Sequence, residues 1–395
     1  MVTEAWPRAD AENYPWSLPD HAPRSARRRF PQTYTAVVTP EIASVDRVPL
    51  SADIETSVVE ASAEIARFDA DVGAEIAPFA SLLLRSEAAA SSKIENLTAS
   101  AKAIALAELG DRSRRNAELI VANTRSMQAA IQLADHLDEQ TILAMHYALL
   151  SAGHPEWCGQ WRDRQVWIGG SDWGPFDARH VAPHHSRVPA AMADLVHFMA
   201  RDDLPPLTQA AVAHAQFETI HPFPDGNGRV GRALLHAMLK GKGLTRSVTV
   251  PVSAGLLGDT AEYFTALDEY RDGDPAPLVE KVAHAAFSAI GNGRQLVADL
   301  REVRAAWRDR VPTRRGATTW LVADLLLRRP VIDSPLVQRE LEVSAMTANR
   351  AIAPLVEAGV LTEISGASRS QKWSAREVLA ALDAFADRSG RRNTL

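Results

Sequence analysis

The sequence has a single cysteine in 395 residues, Cys158, which excludes an internal disulfide framework and fits a reducing compartment. No apolar run approaches about 18 residues, so no membrane-spanning helix and no membrane partner are expected. The first residues lack the apolar core of a signal peptide, and a cytoplasmic protein is the expectation. Positive charge is not in excess either. A net charge of -6 argues against a generally basic nucleic-acid binder and leaves room only for a local patch. What remains is an ordinary globular composition, 46% hydrophobic, on a chain long enough for two or three domains with real cores.

The densest chemistry lies in His221-Pro-Phe-Pro-Asp-Gly-Asn-Gly-Arg-Val-Gly-Arg232. The run from Leu207 to Ile220 has apolar residues at helical spacing and predicts a buried helix that delivers His221 at its end. Pro222 and Pro224 stop that helix, and Gly226 and Gly228 are expected to permit positive φ and a close backbone approach. A second helix is expected from Gly228 onward. Its first-turn N–H groups and dipole make an anion site, and Arg229 and Arg232, three residues apart, can reach the same polyphosphate. Asp225 suits Mg²⁺, which takes one or two carboxylates together with phosphate oxygens. His221, with an ordinary pKa of about 6.5, can accept a proton from an attacking hydroxyl. These parts describe a Mg·nucleotide site with a base.

The stretch resembles the Fic family motif H-x-F-x-[DE]-G-N-G-R-x-x-R, and every specified position matches. The resemblance implies AMP transfer from ATP to a Ser, Thr or Tyr hydroxyl of a target protein. It implies His221 as general base and Asp225 as Mg²⁺ ligand. The segment Gly226, Asn227, Gly228, Arg229, Val230, Gly231 and Arg232 would be the phosphate-binding run, with Phe223 as a core anchor. Ser91-x-x-x-Glu95-Asn96, on an expected helix from about residue 76, matches the inhibitory motif [ST]-x-x-x-E-[GN] of such proteins. By resemblance Glu95 would pair with Arg232 and hold the γ-phosphate position against ATP. Tyr263 and Phe264 resemble the Y-Y-x-x-L segment beside the adenine, with Phe264 lacking the second hydroxyl.

Two β-prone segments, Val166, Trp167, Ile168 and His180, Val181, Ala182, flank a Gly/Pro/Asp-rich tip and predict a hairpin. The resemblance makes this a flap that aligns an extended target segment by strand addition. Trp173 and Phe176 are read as exposed aromatics near its tip, available to a partner or to the protein's own surface. His154, His180, His184 and His185 lack the Cys or acidic spacing of a zinc site, and structural zinc is not expected.

The first 50 residues read as an irregular arm tacked down by Trp6, Trp16 and Tyr34, with a solvated or acid-paired basic run from Arg24 to Arg29. Ser51 caps a helix to about Phe68, and two more helices follow before Leu150. Thr249 to Ser253 reads as a connector, and a long helix runs from Ala276 to about Trp307. From Ala317 three helices and a hairpin, with Ser344 as a cap and Gly359 as a stop, resemble a winged helix-turn-helix. Thr347, Asn349 and Arg350 would face a DNA groove, with Arg369 and Lys372 reaching phosphates. A dimerisation or protein-docking module is the alternative.

The expected fold class is mainly α: a Fic-type helical core with a β-hairpin flap and a C-terminal winged helix-turn-helix. The expected domains are 1–50 (arm), 51–135 (helical region with the inhibitory helix), 136–300 (core) and 313–395 (winged helix). The expected function is a protein adenylyltransferase held back by Glu95. AMP removal using Glu95, or a DNA-binding regulator with a nucleotide-sensing core, stand as alternatives. ATP, Mg²⁺ and a hydroxyl-bearing target protein are the expected partners, with a homodimer and DNA as further candidates.

Overall fold

The structure is a computed structural model that describes residues 5–18, 22–73, 78–171, 173–314, 316–364 and 371–389. The chain begins with β1 (Asp10–Pro15), α1 (Arg24–Arg29) and β2 (Thr33–Val38). Next come α2 (Ala52–Gly73), α3 (Pro78–Ile94), α4 (Ala101–Glu108), α5 (Arg115–Gln132) and α6 (Glu139–Leu150). A short strand pair, β3 (Trp167–Ile168) and β4 (His180–Val181), precedes α7 (Val188–Ala200), α8 (Pro206–Ile220) and α9 (Asn227–Gly241). Then follow α10 (Val252–Leu256), α11 (Thr260–Arg271) and α12 (Ala276–Arg310). The C-terminal part is α13 (Thr318–Arg328), β5 (Val331–Asp333), α14 (Ser334–Leu341), α15 (Ala345–Glu357), β6 (Thr362–Glu363), β7 (Lys372–Ser374) and α16 (Arg376–Arg388). The fold is mainly α with small β-hairpins, as the sequence predicts.

Two compact units divide the chain. The first comprises Met1–Ser62, Ser126–Leu244 and Thr260–Ala283. Its centre is α8, on which every residue from Leu207 to Ile220 is buried; α7, α9 and α11 pack around it. A helix buried on all sides carries little amphipathic signal, and its polar members must find partners. Gln209 donates to the Phe198 and Arg201 carbonyls at 2.8 Å, and Gln216 donates to the Pro40 carbonyl at 2.8 Å.

The N-terminal arm is not irregular. β1 and β2 pair antiparallel from Asp10↔Val38 to Pro15↔Thr33, and the basic run in their connection is the helix α1. The strand Thr33–Val38 alternates in burial, Tyr34 and Ala36 in and Thr33 and Thr35 out, as a half-buried strand must. The three aromatics do tack the arm down: Trp6 packs on Tyr270, and Trp16 meets Tyr34 and Trp167 edge-on.

The second unit comprises Ala63–Arg125, Thr245–Asp259 and His284–Leu395. Within it α3 is held from two sides. The buried Glu87 carboxylate accepts from the Ser253 backbone N–H at 2.9 Å and from its hydroxyl. The Asn123 amide donates to the Ala88 carbonyl at 2.9 Å and the Ser92 hydroxyl at 3.1 Å. In its C-terminal part the sheet order is β5-β7-β6, so β5 adds a strand to the expected hairpin. Ser344 caps α15 and Gly359, at φ 68°, ends it. The hairpin tip, including Arg369, lies outside the described residues. The helices α4, α7, α10 and α16 are further additions, and α10 replaces part of the expected connector.

Candidate active site

The site is built on the turn between α8 and α9. Proline disfavours helical geometry in the residue before it, so Pro222 ends α8 and leaves His221 as its left-handed cap at φ 51°. The Phe223 ring then enters the core, 0% exposed, stacked on His146 with centroids 3.7 Å apart. Asn227 closes the turn. Its side-chain oxygen accepts from the Phe223 N–H at 2.8 Å and its amide donates to the Phe223 carbonyl at 2.9 Å. Both polar ends of Asn227 therefore shape the loop.

Of the two glycines expected at positive φ, only Gly226 has it, at 82°. A Cβ there would also meet the Leu149 side chain at 2.7 Å. Gly228 lies inside α9 with ordinary helical geometry, because the helix begins one residue earlier than the sequence suggests. Gly231 serves helix packing: a Cβ would meet Glu218 and Phe217 of α8 at 2.9 Å. Val230 is fully buried beside it.

The charged groups fall into two classes. Asp225 is exposed, and its carboxylate accepts from the Gly226 N–H at 2.7 Å and lies 3.4 Å from Arg229. Arg229 and Arg232 are each 3% exposed on the first turns of α9. The first N–H groups of that helix have no acceptor within it, so the turn concentrates donors and positive charge.

His221 is mostly buried. Burial pushes its pKa down to about 4, with the Glu218 carbonyl opposing and Arg162 and Arg271 reinforcing the shift. The ring is therefore neutral at pH 7. Its Nδ1–H donates to the Glu218 carbonyl at 3.3 Å, which leaves Nε2 as the basic atom.

Two residues that the sequence did not single out for a role hold this arrangement. The Arg162 guanidinium is buried, its pKa lowered to about 10 by desolvation. It donates from Nε to the His221 carbonyl at 2.8 Å, from Nη1 to Arg164 at 2.9 Å, and from Nη2 to Pro183. One side chain thus joins the His221 backbone to both ends of the β3–β4 hairpin. His146 on α6 donates from Nε2 to the Asp225 carbonyl at 3.2 Å, and burial lowers its pKa to about 4.

The two expected segments do pair as a hairpin, Trp167↔Val181 and Ile168↔His180, with the Ala182 N–H donating to Val166 at 3.2 Å. His180 is buried and donates to the Thr219 carbonyl at 3.0 Å, which ties β4 to the end of α8. Phe176 corrects an expectation: it is buried, stacked on Phe30 at 4.8 Å, and Trp173 is half-buried. On α11, Tyr263 is buried with its hydroxyl 2.8 Å from His214 Nε2, while Phe264 is 37% exposed under the Arg179 guanidinium.

Residues 136–239 match the family described as Fic/DOC family. The match is confined to this segment. The chain is 33% identical over 152 residues to protein adenylyltransferase fic-1 of Caenorhabditis briggsae, covering 38% of this chain and 27% of that one. It is 30% identical over 163 residues to protein adenylyltransferase Fic of Nematostella vectensis, covering 40% of this chain and 35% of that one. The chain thus spans only about a third of the length of these relatives or less. The crystal structure of a Fic family protein from Desulfovibrio desulfuricans shares the fold, with TM-score 0.54 and 22% identity over 85% of this chain and 98% of that one.

Ser91 and Glu95 belong to the second unit, outside the segment that matches the family. Ser91 is buried on α3, and Glu95 follows its last residue. Asn96 is left-handed at φ 61°, and the Leu97 N–H returns to the Ser92 carbonyl at 3.0 Å. A Gly or Asn after the glutamate is what such a cap demands.

No helix among the described residues is long and apolar enough to cross a membrane.

Proposed function

We propose that this chain is a protein adenylyltransferase that moves AMP from ATP to a hydroxyl side chain of a target protein. The observation that carries this reading is a neutral His221, tautomer set by the Glu218 carbonyl, one loop away from the donor-rich start of α9. The names of its relatives agree. The target oxygen forms the new bond to the α-phosphorus, the bond to the bridging oxygen breaks, and pyrophosphate leaves. His221 Nε2 takes the hydroxyl proton. Backbone N–H groups of Asn227 and Gly228 and the guanidinium groups of Arg229 and Arg232 hold the phosphate charge.

A solvent-facing carboxylate beside a phosphate nest fits Mg²⁺ brought in with the nucleotide, and Asp225 would hold it. When bound, the ion would neutralise charge on the phosphates. Phe264, partly exposed, offers a face to the adenine, and Tyr263 supports it from below. The β3–β4 hairpin aligns the target segment. Glu95 restrains the reaction by engaging the γ-phosphate arginine, Arg232, as the motif that contains it suggests.

The exposed residues of α15 are Ala345, Met346, Asn349, Arg350, Ala353, Val356 and Glu357, with Met346 75% exposed and Arg350 the helix's one basic residue. This composition favours protein docking, dimerisation included, over DNA reading.

The test uses ATP labelled at the α-phosphate with wild type, Glu95→Gly and His221→Ala. Label on protein should rise strongly in Glu95→Gly, and His221→Ala in that background should lower it by about a thousandfold. Equal, background-level label in all variants with nucleotide still bound would sink the reading.

A further inference from the structure

Glu95 lies in a turn whose two flanks are held by α16 of the same unit. The Asp383 carboxylate accepts from the Ala101 N–H at 2.9 Å, and the Ala386 carbonyl accepts from the Lys93 ammonium at 3.4 Å. Asp383 and Ala386 are three residues apart, so one face of α16 makes both contacts. The turn itself is closed by the Leu97 N–H on the Ser92 carbonyl at 3.0 Å. Any change in the spacing of α3, α4 and α16 therefore reaches position 95.

Between these three helices lies a cavity of about 300 Å³, within the size range of small-molecule sites. Leu82, Ile104, Ile120, Leu257 and Phe385 give it a largely apolar wall. Two polar groups on α3 interrupt that wall. Ser86 is only 8% exposed, and its hydroxyl has no hydrogen-bond partner among the described residues. A buried hydroxyl without a partner is unfavourable, and alanine would fill the same place without that loss. The neighbouring Arg85 guanidinium, also largely buried, donates from Nε to Glu108 at 2.6 Å and from Nη1 to the Arg328 carbonyl. It carries more N–H groups than these two acceptors occupy. Glu108 already balances its charge and also meets Arg329 at 3.0 Å.

We propose that this cavity binds a small, largely apolar molecule bearing one neutral carbonyl oxygen, and that its occupant stiffens the turn carrying Glu95. The carbonyl accepts from the Ser86 hydroxyl, with Arg85 as the other donor in the wall. A carboxylate fits less well, because Glu108 has already met the Arg85 charge and a second anion would be desolvated without a partner. An ammonium would bring donors where the acceptors are engaged, Asp383 by Ala101 and Glu108 by two arginines, while Asp387 is exposed to water. A molecule lodged between α3, α4 and α16 opposes their separation and so holds Glu95 where the two α16 contacts put it. That Glu95 acts as a brake rests on the adenylyltransferase reading; the occupancy of the cavity does not.

The experiment uses the full chain without ATP, so its failure is distinct from a failure of AMP transfer. The probes 2-octanone, octanoate and octylammonium, matched in chain length, are titrated into it by calorimetry. The ketone should bind about tenfold tighter than either ion, since a buried charge without a partner is strongly disfavoured. Ser86→Ala should weaken the ketone about fivefold, the worth of one hydrogen bond. Ala90→Leu, which fills the space, should abolish binding of all three. With the ketone at about ten times its Kd, hydrogen exchange at the Leu97 and Ala101 amides should slow about tenfold. No binding of the ketone, an ion that binds as tightly, or a ketone affinity indifferent to both variants would overturn the proposal. So would unchanged exchange at those two amides.

Discussion

In the α8–α9 turn, buried polar groups are held by short-range geometry. Asn227 bonds twice to Phe223, His221 bonds to Glu218, and Gly226 has room for no side chain. In the β3–β4 hairpin, two residues pair with two, Ile168 is 39% exposed, and the strands are short enough to need outside support. The first region is rigid and chemically specified. The second borrows its shape from Arg162, His180 and the N-terminal hairpin. The contrast separates a turn that holds itself from a hairpin that leans on its neighbours, and the Arg162 side chain bonds to both.

Breaking that shared residue should have the largest effect. Arg162→Met removes donors to His221, Arg164 and Pro183 and should lower kcat by about a hundredfold, as loss of alignment does. The same variant should lose on the order of 2–3 kcal/mol of stability in denaturant titration, since buried carbonyls lose a charged partner. An unchanged kcat would show that the turn holds His221 without it.

Gly226→Ala probes the turn alone. The left-handed φ should cost about 1–2 kcal/mol, with the Leu149 contact in addition. Leu149→Ala in the same chain should restore part of the stability but not the backbone strain, read as a shift in denaturation midpoint.

The pH profile is next. His221 has a folded pKa near 4, below the ordinary 6.5, so it is neutral above pH 4. At pH 5.5 kcat/KM should stay within about twofold of its pH 7 value, whereas an unshifted histidine would leave roughly a tenth as neutral base. Stability runs the other way. The unfolded chain takes up protons near pH 6.5 that the folded His221, His146 and His214 refuse, so stability should fall as pH drops from 6.5 towards 4. Ile168→Ala on the hairpin should have the smallest effect, within about 0.5 kcal/mol in stability, and should raise KM for the target without changing KM for ATP.

The sequence made the turn legible because its chemistry requires particular residue types at fixed spacing. Helix ends were legible for a similar reason, as Ser51, Ser344 and Gly359 act on neighbours within a few residues. Arg162 and His146 were not, since their acceptors lie 59 and 79 residues away. Phe176 looked exposed because its cover, Phe30, comes from the N-terminal arm. The strand Thr33–Val38 did show period two, but Pro15 and the polar residues of its partner strand masked the pairing.

The left-handed backbone of His221 has a consequence for the history of such a site. Only a few side chains tolerate that geometry, and Gly or Asn tolerates it best, relieving about 1 kcal/mol of strain. Under the proposed function, stability and chemistry therefore pull this one position in opposite directions. On that reading, a descendant released from selection for activity would drift first at position 221, towards Gly or Asn, and would be the more stable protein.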